Sequence, residues 1–406
     1  MEKLISFAGL LVLIGIAYLL SENKKAIKWR LVMVGTLMQM VFGIIILKWS
    51  AGQAAFRWLS DKITIVLGYT KYGSEFLFGG LMDVNNVGFV FALQILPTII
   101  FFSGLMALLY YLGIMEKIVA ILAKVMLKLL GTSGAESLSA AANIFVGQTE
   151  APLIIKPYLK DMTRSELLTV MVGGMASVSG GVLAGYISLG VDAGHLISAS
   201  IMSAPASLLI AKIMVPETQT PKTMGRVDVV MENIDTNAVD AISRGTSEGL
   251  GLAMNVAAML LSFTALMALL NGIVSGMGSV VGMDYLSLEW ILGRMFAPIA
   301  FLMGIPSADI VNAGTLLAQK TLINEFFAYT TLSSFVGEGM LSLRAQTILT
   351  YALCGFANIA SIGVLVGGIG GLVPEKRAEV ATLGVKALIG GTIAAFMTAT
   401  VAGILI

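Results

Sequence analysis

Two carboxylates stand in sequence otherwise suited to lipid. Glu150 lies in Gly147-Gln148-Thr149-Glu150-Ala151-Pro152, and Glu325 in Asn324-Glu325-Phe326-Phe327. An ionisable group at membrane depth is costly and persists where it meets a partner or a permeating solute. Glu150 either pairs with a nearby lysine to hold helices together or faces something polar inside the membrane. Gln148 brings donor and acceptor, Thr149 a hydroxyl, and ionised Glu150 acceptors alone. This set suits a neutral, hydrogen-bonding heterocycle better than a bare ion. Farther on, Asn358 and Ser361 follow Phe356 in Gly355-Phe356-Ala357-Asn358-Ile359-Ala360-Ser361 and share one helical face. With Glu325 they could bind the vicinal hydroxyls of a sugar, and helix–helix hydrogen bonding is the competing reading. Ala176-Ser177-Val178-Ser179-Gly180-Gly181 is small and hydroxyl-rich. It predicts either an unwound stretch whose oxygens coordinate sodium, with Asn143 and the Val146 carbonyl completing the site, or close helix packing.

Such residues need a membrane scaffold, and composition supplies one. The chain has 406 residues, 57% hydrophobic and 12% charged. Soluble domains carry about 25% charged residues, so this surface cannot be mostly wet. The 45 glycines suit closely approaching membrane helices. A net charge of +1 excludes the footprint of a nucleic-acid binder. One cysteine, Cys354, excludes an intramolecular disulfide framework.

Apolar stretches long enough to cross predict an all-α membrane protein with eight spans, at 4–20, 31–47, 91–112, 166–190, 194–214, 248–270, 346–370 and 379–405. The first lacks a cleavage signal and reads as a retained span. Residues 51–69 and 114–130 are amphipathic and read as interfacial helices. Residues 135–159 and 306–330 each hold two short helical pieces around a polar centre, as re-entrant hairpins do. Most of the 25 basic residues fall on one side if both termini lie outside. Four units then follow: 1–90, spans one and two with an interfacial helix, as scaffold; 91–214, a first repeat; 215–245, a cytoplasmic linker; and 246–406, a second repeat of opposite orientation. Inverted repeats of this kind bind near the midplane, at discontinuous helices.

Other features carry less. His195 follows Asp192 and reads as a solvated loop residue rather than a proton relay. Ser203-Ala204-Pro205-Ala206-Ser207 reads as a packing kink within span five. Gly367-Gly368-Ile369-Gly370-Gly371 closes a span and does not open a phosphate-binding helix. The usual zinc-hydrolase and serine-hydrolase signatures are missing, so the chain does not read as an enzyme.

Taken together, Gly147 to Pro152, Asn324-Glu325-Phe326 with Ala328-Tyr329, and Gly355 to Asn358 with Ser361-Ile362-Gly363 resemble the concentrative nucleoside transporters. The likeness runs over essentially the whole chain, at the length of the bacterial form. It implies eight transmembrane helices, two opposed hairpins and interfacial helices, assembled as a homotrimer in the inner membrane. It further implies that Gln148, Thr149 and Glu150, with Val182 and Leu252, face the nucleobase. Glu325, Asn358 and Ser361, with Phe356 close by, then bind the ribose. Sodium sits at Asn143, Val146, Ser177 and Val178 and is the only ion required, with no other cofactor. Asn143 favours sodium, because proton-coupled bacterial relatives often lack it. Phe327 departs from the smaller residue that many relatives carry beside the ribose-side carboxylate.

The resulting expectation is sodium-coupled uptake of a nucleoside such as uridine or adenosine. Proton coupling through Glu150 or Glu325 is the alternative. An intramembrane enzyme acting on a nucleoside-linked lipid would need an acidic metal cluster or nucleophile at the membrane surface, and a channel would not accumulate its solute.

Overall fold

The computed structural model describes residues 1–225, 235–280, 282–283 and 286–406. Residues 226–234, within the expected cytoplasmic linker 215–245, lie outside the described residues. Helices of eight or more residues are numbered in chain order. They are α1 (Glu2–Leu19), α2 (Trp29–Leu47), α3 (Ser50–Gly68), α4 (Thr70–Phe78), α5 (Leu96–Tyr111), α6 (Ile114–Leu130), α7 (Gly134–Ala142), α8 (Arg164–Ala176) and α9 (Gly180–Ser188). After them come α10 (Ala193–Met214), α11 (Ala238–Val280), α12 (Leu288–Leu302), α13 (Ile310–Leu322), α14 (Glu325–Gly337), α15 (Leu343–Leu353), α16 (Ile359–Leu372) and α17 (Arg377–Leu405).

Among the described residues, seven continuous or nearly continuous helical stretches are long and apolar enough to cross a membrane. The expected seventh span, 346–370, exists as two halves, α15 and α16, separated by Cys354–Asn358. Asn358 therefore caps α16 in an extended conformation (φ −138°, ψ 166°) and does not share a continuous helical face with Ser361. The fourth breaks at Ser177-Val178-Ser179, between α8 and α9, where the sequence predicted unwinding. Local chemistry fixes these boundaries. Ser177 is extended, with φ −124° and ψ 173°. Asn358 caps α16 by accepting from the Ser361 amide at 2.9 Å. Ser133 with Glu136, and Thr163 with Glu166, form capping boxes that start α7 and α8.

The succession long helix, interfacial helix, helix–turn–helix, broken helix, long helix occurs twice. Its first copy is α5, α6, the hairpin from α7 to Leu159, α8 with α9, and α10. The second is α11, α12, α13 with α14, α15 with α16, and α17. Helix α12 had no counterpart in the sequence reading. It holds only 15 residues and a proline, Pro298, which breaks the apolar run. Helix α11 runs 43 residues, about 65 Å at helical rise, so the expected span 248–270 covers only its middle.

Helices α10 and α17 pack on each other, on α2 and on α8, and make the centre of the molecule. Gln39 of α2 joins both, donating to Met202 O at 3.2 Å and Thr398 Oγ1 at 3.1 Å. Helices α5 and α11 pack most extensively against one another, and α5 meets the centre through α9. The most apolar window of α11 buries none of its residues within the chain. At one end of the bundle, Glu22 accepts from Arg164 at 3.0 Å and pairs with Lys386, while its amide donates to Met214 O at 2.9 Å. The loop after α1 is thereby tied to α8, α10 and α17.

His195 departs from expectation. It lies in the first turn of α10, half-buried, with Nδ1 3.1 Å from the Tyr351 hydroxyl of α15. Asp192 caps this helix by accepting from the His195 amide, so residue 195 belongs to the helix and not to the solvated loop that the sequence suggested. Pro205 sits within α10, as the kink-prone segment implied.

Candidate functional site

The two broken helices cross at their breaks. Phe356 N donates to Ser177 O at 3.1 Å, joining the unwound strands main chain to main chain. Gly355 permits the approach. Its φ is +144°, and a Cβ there would lie 2.9 Å from Met175 O and 3.0 Å from Ala176 O. Hairpin one enters from the side, where Gly180 N donates to Phe145 O at 2.9 Å. Freed backbone groups are thus paired across the crossing rather than left bare, as low-dielectric surroundings require.

Onto this crossing four elements project side chains that form one hydrogen-bonded series. Tyr186 of α9 donates its hydroxyl to Glu325 Oε1 at 3.1 Å. Asn358 Nδ2 donates to Glu325 Oε2 at 3.1 Å, while its Oδ1 caps α16 at the Ser361 amide. The Ser361 hydroxyl then accepts from Gln148 Nε2 at 3.1 Å. Asn324 caps α14 by accepting from Phe327 N at 2.8 Å, which sets Glu325 as the first helical residue. An acid in the first turn is favoured by the helix dipole. All five members of the series are buried.

The remaining predicted residues arrange around it. Thr149 and Glu150 are exposed on the turn of hairpin one. Thr149 Cγ2 would lie 3.5 Å from a Cβ at Gly368 of α16, so the turn faces that helix. Glu150 accepts from the Gly147 amide, which closes the turn locally. It makes no ion pair among the described residues, so a structural pairing with lysine does not explain it. Val182 is buried on α9, and Leu252 of α11 reaches the same helix at the neighbouring Gly181, with Cδ2 3.6 Å from a Cβ built there. Phe356 is half-buried beside the crossing. Gln148 Oε1 has no hydrogen-bond partner among the described residues.

Asn143, at the end of α7, and Ser177, at the break after α8, both lie beside Gly173, while Val146 and Val178 follow and adjoin them in the chain. Asn143 is 2% exposed, and its Oδ1 is buried without a partner among the described residues. Its amide lies beside Gly173, where a Cβ would come within 3.3 Å of Nδ2. Ser177 Oγ donates to Gly173 O at 2.9 Å. An unpartnered amide oxygen beside unwound backbone is suited to a hard monovalent cation, which takes oxygen ligands.

Sequence reasoning overlooked Tyr186 and Lys320. Tyr186 is fully buried against Tyr329 and Phe326, and its signal was a phenol in the otherwise apolar Val182-Leu183-Ala184-Gly185-Tyr186. Lys320 is fully buried in α13 and donates to Ala352 O at 2.7 Å. Its signal was a basic residue at membrane depth, within the expected second hairpin, and it was given no role.

Comparison with known proteins gives these positions a family. Profiles described as Na+ dependent nucleoside transporter N-terminus and C-terminus match residues 8–81 and 195–403. A profile described as nucleoside recognition matches 92–192, which contains hairpin one and both halves of the broken helix after it. The chain is 45% identical to the nucleoside permease NupC of Helicobacter pylori over 413 residues, covering 100% of this chain and 98% of that protein. A solved structure of CNTnw in an inward-facing substrate-bound state superposes with a TM-score of 0.94 at 45% identity, over 100% of this chain and 98% of the other. An outward-facing CNTnw variant gives 0.95, with the same identity and coverage.

Proposed function

From the premise that this chain belongs to the Na+-dependent nucleoside transporter family, we propose that it is a symporter coupling inward sodium flow to nucleoside uptake by alternating access. It is a multi-pass membrane transporter and not an enzyme. The observation that carries the finer reading is the buried series Tyr186–Glu325–Asn358–Ser361–Gln148, which links both hairpins to both broken helices. In this reading Glu325, Asn358 and Ser361, with Phe356, hold the ribose. Gln148, Thr149 and Glu150, with Val182 and Leu252, face the base. The Gln148–Ser361 bond opens on binding, so each partner exchanges a contact within the protein for one to the nucleoside. The unpartnered Gln148 Oε1 supplies a further acceptor for a base N–H.

Sodium binds Asn143 Oδ1, the Val146 and Val178 carbonyls and Ser177, and so orders hairpin one beside the base. By linkage, nucleoside then raises sodium affinity by the factor that sodium raises nucleoside affinity. One sodium per cycle gains about 2.3 kcal/mol per 100 mV of inside-negative potential, enough for accumulation on the order of tenfold or more. The hairpins and broken helices move as a unit against α5 and α11. The apolar outer face of α11 meets lipid or the neighbouring protomers of a homotrimer. Both termini lie outside the cell, and the linker 215–245 lies inside. Residues 91–214 and 246–406 act as the inverted repeats.

The test is uridine and adenosine uptake by proteoliposomes with and without a sodium gradient. Uphill accumulation that requires sodium supports the reading, and Asn143→Ala is expected to raise the half-saturating sodium concentration about tenfold. Accumulation driven equally well by a proton gradient in sodium-free buffer overturns it in favour of proton coupling, and failure to accumulate against a gradient indicates a channel.

A further inference from the structure

Lys320 has no part in the scheme above, yet it is fully buried and makes no ion pair among the described residues. A buried ammonium without a countercharge in contact costs several kcal/mol unless other groups compensate it. Here the compensation is a helix end, with the Phe396 ring centroid also 5.8 Å from Nζ. Lys320 donates to Ala352 O at 2.7 Å, one of the last four carbonyls of α15, which lack partners within their own helix. Tyr329 OH donates to Thr350 O of the same turn, also at 2.7 Å. The C-terminal end of a half-helix carries partial negative charge and attracts cations.

The first repeat has the same construction with a different occupant. There the first half of the broken helix, α8, ends at Ala176, and the end of α7 lies beside its last turn at Gly173. In the second repeat α15 ends at Leu353, and the end of α13 lies beside its last turn at Ala352. The first site offers a buried amide oxygen without a partner, Asn143 Oδ1. The second supplies an ammonium from the chain itself.

We propose that Lys320 is a tethered cation, holding hairpin two against the broken end of α15 as sodium holds hairpin one against the broken end of α8. It is a positioning residue. By fixing the end of α13 it sets Asn324 and Glu325 for the ribose with no second ion. Because Lys320 never leaves, the second repeat is permanently in its ion-bound form and the cycle carries one sodium per nucleoside. This inference rests on the sodium site read above at Asn143.

The experiment counts ions and removes the tether. Sodium-to-uridine stoichiometry in proteoliposomes, from the gradient that just balances a uridine gradient, is expected to be one for the native protein, and a value of two overturns the proposal. At saturating sodium, Lys320→Met in detergent, monodisperse by size exclusion, is expected to lose about tenfold or more in uridine affinity. Unchanged affinity overturns the proposal. Lys320→Ser leaves room for a free ion, so the Hill coefficient for sodium should rise from one towards two, and a value fixed at one shows that the two positions are not equivalent. A purely structural lysine would lower thermal stability without moving either sodium readout. Asn143→Ala run in parallel separates the two failures. If it keeps native sodium dependence, the first-repeat site is misassigned, whereas loss of dependence there with unaltered Lys320 variants rejects the tethered cation alone.

Discussion

At the residue scale, both oxygens of Glu325 are committed to donors, the Tyr186 hydroxyl and the Asn358 amide. A glutamine at this position must turn its NH2 towards one of them and set donor against donor. Hydrogen bonds to charged groups contribute about 1.5–3 kcal/mol. Glu325→Gln is therefore expected to weaken uridine binding roughly tenfold to a hundredfold, measured as the uridine Kd at saturating sodium. Sodium binding without nucleoside should be little changed. The chemistry of this pair was legible in the sequence, because a carboxylate and an amide in apolar surroundings are conspicuous. Tyr186 was not, since a phenol among apolar residues is ordinarily read as packing, and only the fold brings it from 139 positions away. Lys320 was visible as a charge but not as a partner, because a carbonyl freed by a helix break leaves no mark on its own residue.

At the scale of elements, the crossing of the two breaks depends on Gly355. Its φ of +144° and the 2.9 Å distance from a built Cβ to Met175 O leave no room for a side chain. Gly355→Ala is expected to cost about 2–4 kcal/mol from backbone strain and overpacking, visible as a lower Tm and a loss of uptake. Gly363→Ala, within α16 and free of neighbours within 4 Å, is the matched control and should leave uptake within about twofold, as alanine favours helix. The first break could be anticipated from Ser177-Val178-Ser179, but the second could not, since the spacing of Asn358 and Ser361 suits an uninterrupted helix as well as a cap. Nor could their pairing, because Ser177 O and Phe356 N carry no side-chain signature. Helix α12 was likewise hidden, since 15 residues with an internal proline fall short of any span pattern.

At the scale of the whole molecule, Glu22 gathers three segments of the bundle. The hydrogen bond from Arg164, aided by Lys386 and opposed by desolvation, lowers its carboxyl pKa from 4.5 to about 2. A folded-state pKa below the unfolded value adds stability that is complete above about pH 4.5 and lost as pH falls towards about 2. Glu22 is about a third exposed, at 32%, so water screens the pair and the contribution is held to about 1 kcal/mol. Glu22→Gln is expected to lower Tm at pH 7 by a few degrees at most and to reduce the fall in Tm between pH 5 and pH 3. Differential scanning fluorimetry of both proteins in detergent checks this, and parallel pH curves would remove Glu22 from the account. Eight spans and two hairpins were legible from hydropathy, because lipid demands about 20 apolar residues per crossing. The packing of α2, α10 and α17 was not, since helices in lipid are selected by shape rather than by apolar surface.

The bonds Phe356 N to Ser177 O and Gly180 N to Phe145 O have a consequence for how such a protein can diverge. The framework at the binding centre is knitted from main chain, which substitution leaves in place. Side chains such as Val182, Leu252 and Phe327 can therefore be exchanged without unpicking that framework. On the reading proposed above, substitutions at those side chains would retune the solute while the framework stands, whereas a change at Gly355 would strike the framework itself.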